Sequence, residues 1–155
     1  MLDLYDELKA LTGSFDSNGI DYALCGGLAM AVYGLTRATV DIDILIQEEY
    51  LEAAGSAARE LGYTVAAAPM SFAGGSIKIR RISKLDPETG DLLMLDLILV
   101  TAPLANVWQT RLEAEWENGV LRVVSREGLI ALKRLRGSSQ DLDDIARLRE
   151  DSHEA

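Results

Sequence analysis

Two carboxylates separated by one apolar residue, Asp41 and Asp43, lie in the run Arg37-Ala38-Thr39-Val40-Asp41-Ile42-Asp43-Ile44-Leu45-Ile46. A β-branched, apolar run of this kind reads as a strand, and strand side chains alternate between faces. Val40, Ile42 and Ile44 are expected to point into a core. Asp41 and Asp43 then share the opposite face, roughly 7 Å apart along the strand. Such a pair repels itself unless a cation sits between the two groups, so it asks for a divalent metal. The plainer alternative is the solvated face of an alternating strand.

Other segments bear on that choice. Upstream, Tyr22-Ala23-Leu24-Cys25-Gly26-Gly27-Leu28-Ala29-Met30-Ala31-Val32-Tyr33-Gly34 reads as a short strand, a Gly-Gly turn and a short helix stopped by Gly34. Paired glycines let a backbone approach a ligand closely, and a helix N-terminus presents free N–H groups to an anion. A phosphate-accepting turn beside a metal-binding strand suits a nucleoside triphosphate and its Mg²⁺. Arg37 and Thr39 have the strand parity of Asp41, which sets them on the acidic face near that triphosphate. Arg37 either pairs with a phosphate or the carboxylates, or only orders its loop.

Downstream, Leu92 to Val100 is an apolar strand interrupted by one charge, Asp96. A carboxylate there needs a partner. The metal held by Asp41 and Asp43 is one candidate, and an arginine or backbone N–H groups are the other. Lys133 poses a similar question. It lies three and four residues after Ile130 and Leu129 and shares their inward side. A lysine on an apolar stripe either snorkels to solvent or reaches into a site.

The elements that must position these residues follow from periodicity. Leu4, Leu8, Leu11 and Phe15 predict an amphipathic helix ending near Asn18-Gly19. A second helix is expected from Glu48 to Leu61, a short strand at Tyr63–Ala67, and a loop from Pro69 to Ser76. Ile77 to Ile82 alternates and is joined to the Asp96 strand by Asp86-Pro87-Glu88-Thr89-Gly90, which predicts an antiparallel pair. Pro103 starts a short helical or irregular segment. Glu117-Asn118-Gly119 predicts a hairpin between Glu113–Trp116 and Val120–Val124. Two helices close the chain, from Ser125 to about Arg136 and from Ser139 to Leu148, with a frayed tail beyond.

At 155 residues and 48% apolar content, the chain reads as one domain able to bury about two thirds of its unfolded surface. No run has transmembrane length and none has a signal-peptide layout, and the single cysteine, Cys25, precludes an intrachain disulfide. A reducing cytoplasm fits best, with no membrane partner. The only histidine, His153, lies in the tail, which argues against zinc chemistry and a Ser-His-Asp triad. A net charge of −10 argues against duplex DNA, since binding it depends on Lys and Arg neutralising phosphates. Two basic clusters, Lys78 to Lys84 and Arg122 to Arg136, leave room for a local triphosphate or RNA-end site.

Taken together, Gly26-Gly27, the short helix, Arg37-x-Thr39, Asp41-x-Asp43 and Asp96 resemble the DNA polymerase β-type nucleotidyltransferase superfamily. The chain looks most like its small bacterial members, the minimal nucleotidyltransferases and the abortive-infection toxin group. The resemblance covers roughly Leu2 to Leu148. It implies an α/β (α+β) fold: a small mixed β-sheet with flanking helices and a C-terminal helical pair, with a core over 20–100 and a hairpin and helices over 111–148. It implies transfer of an NMP from an NTP to a hydroxyl acceptor, assisted by two Mg²⁺ ions about 3.5–4 Å apart. Asp41 and Asp43 would bridge both ions, and Asp96 would hold the one that activates the acceptor. Gly26, Gly27, Arg37, Thr39 and Lys133 would bind the nucleotide. The acceptor would be an RNA or tRNA 3′ end, a protein side chain or a small molecule, and a toxin–antitoxin role would add a partner protein. Lys133, Arg136, Asp141 and Asp144 match the family's C-terminal pattern, with Asp144 a buried partner that orients Lys133, while Gln140 replaces a usual basic residue. The alternatives are a non-catalytic nucleotide-binding antitoxin or regulator of the same fold and, further off, a metal-dependent glycosyltransferase.

Overall fold

The computed structural model describes residues 1–35, 40–116 and 119–154. Helix α1 (Leu4–Ser17) starts where the Asp3 carboxylate accepts from the backbone N–H groups of Tyr5 and Asp6. It buries Leu8, Leu11 and Phe15 on one stripe. Strand β1 (Ala23–Cys25) leads directly into α2 (Gly26–Val32), so the two glycines form the helix's first turn rather than a separate loop. Strand β2 (Asp41–Ile46), α3 (Leu51–Glu60) and β3 (Tyr63–Ala66) follow. Next come β4 (Met70–Phe72), β5 (Ile77–Leu85) and β6 (Leu92–Leu99). The C-terminal part holds α4 (Ala105–Gln109), β7 (Leu112–Trp116), β8 (Gly119–Val123), α5 (Arg126–Arg136) and α6 (Ser139–Glu154).

Among the described residues, eight strands form one mixed sheet in the order β3-β5-β6-β2-β1-β8-β7, with β4 also paired to β5. The α/β architecture expected from the sequence is present. Strands β2 and β6 run parallel at its centre, and β1 and β8 form the second parallel pair. Central parallel strands are buried on both faces, which is why Ile42–Ile46 and Leu95–Leu99 are almost continuously apolar. Leu24, level with Ile44 on β2, lines a groove with Leu8 of α1, so α1 covers that face. The other face lies under α5, where Ile79 and Ile98 meet Leu129 and Leu132. No helix among the described residues is long and apolar enough to cross a membrane.

Three expectations need correction. Val40 is not a core residue: β2 begins one residue later, and Val40 is 69% exposed. The segment from Pro69 to Ser76 is not simply a loop. Met70–Phe72 pairs antiparallel with Ile77–Ile79, and Gly74 and Gly75 make the reversal with φ of 65° and 92°. The last helix continues past Leu148 to Glu154, because no glycine or proline interrupts it. The antiparallel pair β5–β6 and the hairpin β7–β8 are as expected, although Glu117 and Asn118 of its turn lie outside the described residues.

Candidate functional site

The register across the sheet builds the site. Asp43 of β2 lies level with Asp96 of β6, Asp96 with Arg81 of β5, and Asp43 with Cys25 of β1. Partners at the same level point to the same face, so these four form one row across four strands. One carboxylate oxygen each from Asp41, Asp43 and Asp96 lies within 4.8 Å of the others. Asp43 and Asp96 are buried and Asp41 is half-buried.

Gly26 explains how Asp43 fits. Its φ is +69°, and a Cβ there would stand 2.0 Å from Asp43 Oδ2. Only glycine allows the first turn of α2 to sit against this carboxylate. The buried Cys25 donates its Sγ–H to the Asp43 carbonyl at 3.5 Å. Burial, followed by the charges of Asp43 and Asp96, pushes that thiol well up, which keeps it neutral.

Asp96 has the arginine partner that the sequence left as an alternative. Arg81 Nε donates to Asp96 Oδ1 at 2.7 Å and its Nη2 to Oδ2 at 2.9 Å, a two-point fork. That fork serves Asp96 and leaves Asp43 buried between acidic neighbours. Burial, then Asp41, then Asp96 push the Asp43 carboxyl up to about 8, against weaker opposing pulls from Arg136 and Arg81. Near neutral pH Asp43 therefore holds a proton where a cation would otherwise be favoured. The donor set is all carboxylate oxygen, which suits a hard ion such as Mg²⁺ or Mn²⁺. These residues fit a divalent metal.

A cleft of about 270 Å³ opens beside Asp41 and Asp43. Gly26, Gly27, Val40, Asp41 and Asp43 form one wall, and Lys133, Arg136, Ser138, Gln140 and Asp141 form the other. Lys133 is buried, and its Nζ donates to Asp144 Oδ2 at 2.8 Å, with Asp141 Oδ1 at 3.9 Å. It therefore reaches inward rather than snorkelling, and Asp144 is the expected buried partner. Asp141 also anchors the start of α6: its carboxylate accepts from Ser138 N–H and Oγ–H, while its own N–H donates to Ser138 Oγ. That reciprocal arrangement is a capping box. Arg37 and Thr39 lie outside the described residues.

Arg81 is the site neighbour that sequence reasoning missed. A signal for it was present. Counting outward from the Asp86–Gly90 turn through the Leu85–Leu92 pair brings Arg81 level with Asp96.

No protein-family profile matches the sequence, and no curated protein matches it either. Solved structures match it by fold. The antibiotic-resistance factor ANT(2'')-Ia superimposes with a TM-score of 0.67 over 92% of this chain and 80% of its own, at 15% identity. It has also been solved in complex with adenylyl-2''-tobramycin. The Thermotoga maritima protein TM1012, classed as a nucleotidyltransferase, aligns with a TM-score of 0.64 over 99% of this chain and 97% of its own, at 14% identity. The lincosamide antibiotic adenylyltransferase LnuA, bound to lincomycin, aligns at 0.52 over 93% and 95%, with 18% identity. At these identities the shared property is the fold. The chain has the nucleotidyltransferase fold, as its motifs suggest.

Proposed function

We propose that this protein is an enzyme, a metal-dependent nucleotidyltransferase that moves an NMP from an NTP to a hydroxyl acceptor. One observation carries the reading: Asp41, Asp43 and Asp96 converge within 4.8 Å on one sheet face, inside a nucleotidyltransferase fold. Asp41, Asp43 and Asp96 would hold Mg²⁺, and Asp96 would also take the proton of the attacking hydroxyl. Bound divalent ions would neutralise the triphosphate and sharpen the acceptor as a nucleophile. Gly26 and Gly27, at the start of α2, would offer backbone N–H groups to the phosphates. Lys133 and Arg136, on the facing wall, would place positive charge beside the triphosphate. Arg37 and Thr39 are assigned to the triphosphate by strand parity alone.

For the acceptor we favour a small molecule. The similar structures include an antibiotic-resistance factor solved with adenylyl-2''-tobramycin and a lincosamide adenylyltransferase. The net charge of −10 disfavours a long polyanion as partner. Because both named transfers involve an adenylyl group, ATP is the first nucleotide to test. A toxin–antitoxin role is a narrower form of the same reading, in which induced expression should arrest growth only while Asp43 is intact.

The test is direct. The full chain is incubated with each α-labelled NTP and Mg²⁺ against panels of small hydroxyl compounds, tRNA and proteins, beside an Asp43→Asn control. Label should pass to at least one acceptor in the parent and to none in the control. A folded parent that neither labels any acceptor nor releases pyrophosphate would sink the proposal.

A further inference from the structure

We propose that Arg81 is a resident counter-cation of the acidic site: it holds the Asp96 carboxylate in place while no metal is bound, and it lowers the site's affinity for a free divalent cation. The proposal rests on the metal-dependent reading above. Its basis is the row across the sheet, in which Arg81, Asp96 and Asp43 stand level on three adjacent strands. The guanidinium engages both Asp96 oxygens, at 2.7 and 2.9 Å. Asp96 is only 4% exposed, whereas the Arg81 side chain is about one third exposed. Arg81 thus reaches the buried acid from the solvent side.

Two effects follow from that placement. Each carboxylate oxygen has two lone-pair directions, and the fork takes one from each, so Asp96 can still face a cation but must share. A fixed positive charge beside the triad also repels an incoming dication. A dication that arrives with the negative charge of a triphosphate is penalised less. Arg81 would therefore favour metal delivered with the nucleotide over metal alone. A purely structural arginine predicts the reverse, because removing it would leave Asp96 misplaced and metal binding unchanged or weaker.

The experiment titrates Mn²⁺ alone into the metal-stripped full chain, with free Mn²⁺ read by electron paramagnetic resonance and folding checked by thermal melts. Arg81→Gln, which keeps an amide donor but no charge, should bind Mn²⁺ about tenfold or more tighter than the parent. Arg81→Lys, which keeps the charge but not the fork, should stay within about threefold of the parent. Arg81→Gln binding no tighter than the parent overturns the proposal. So does Arg81→Lys binding tenfold tighter, and that arm decides alone if Arg81→Gln fails to fold. Asp43→Asn serves as the control: if it binds Mn²⁺ as tightly as the parent, the failure belongs to the metal-site reading and not to Arg81.

Discussion

The two faces of β2 have opposite chemistry at one-residue spacing. Ile42, Ile44 and Ile46 are fully buried and lie level with Leu95, Leu97 and Leu99 of β6. Between them, Asp41 and Asp43 look out on the other side, beside Asp96. Beyond Asp43 and Asp96, the second face reverts to buried Leu45 and Ile98. The polar site is therefore a patch set into two otherwise apolar central strands, β2 and β6. Burying carboxylates in such a patch opposes folding, while burying the isoleucines drives it. Side chains of consecutive residues, about 3.3 Å apart along the strand, can thus fail in opposite ways, one in chemistry and the other in stability.

The largest expected effect is on the acidic face. Asp43→Asn keeps the shape and removes the charge, so transfer should fall about a thousandfold or more, roughly 4 kcal/mol. Its thermal midpoint at pH 8 should hold or rise, since the lost group is one whose ionisation burial opposes. Ile44→Ala should do the opposite. It should lose about 2–5 kcal/mol of stability in denaturant titration, as buried truncations do, while transfer per folded molecule stays within a few fold. If Asp43→Asn melts far below the parent, or Ile44→Ala loses activity while fully folded, the two faces are not separable as described.

Lys133 extends the comparison to the helical wall above the acids. Its ammonium pairs with Asp144 in a buried setting, so Lys133→Ala would strand a carboxylate at a cost of about 3–5 kcal/mol and confuse the reading. Lys133→Met combined with Asp144→Leu removes both charges and should melt near the parent. If Lys133 also serves the triphosphate, the double variant should still lose about 2–4 kcal/mol of transition-state stabilisation, read as kcat/KM. A double variant that transfers at the parental rate would make Lys133 a structural lysine.

What the sequence disclosed follows from how local each signal is. Asp41, Asp43 and Asp96 stand out because a charge in an apolar strand breaks a pattern visible within a few residues. Gly26 stands out as a glycine, but its reason, the lack of room for a Cβ beside the Asp43 carboxylate, is a tertiary one. Met70–Phe72 is too short and too closely flanked by Pro69 and the glycines to read as a strand, and pairing with β5 makes it one. Val40 misled because alternation does not say where a strand begins. The Lys133–Asp144 partnership spans two helices and depends on how α5 and α6 meet. The neighbouring of β1 and β8, about a hundred residues apart in the chain, left no local trace.

The most gradual signal is a pH slope in the metal-free protein, and it tests why the acidic face opposes folding. Folded Asp43 titrates near 8, raised first by burial and then by Asp41 and Asp96, whereas an unfolded aspartate titrates in the ordinary carboxylate range. Between those two values the folded state keeps a proton that the unfolded state has lost. Stability from this group must therefore fall as pH rises through that window, by at most about 1.4 kcal/mol per pH unit, and level off above about pH 8. Melts of the parent in chelator from pH 5 to 9 should show the decline, and Asp43→Asn should show a flatter profile that converges with the parent at the acid end. Adding Mn²⁺ should restore parental stability most at pH 8, where the ionised carboxylate is costliest without a cation. Parent and Asp43→Asn profiles that run parallel would mean that Asp43 ionises as freely in the folded chain as in the unfolded one. The acidic face would then place no strain on the fold, and the contrast with the isoleucine face would reduce to packing alone.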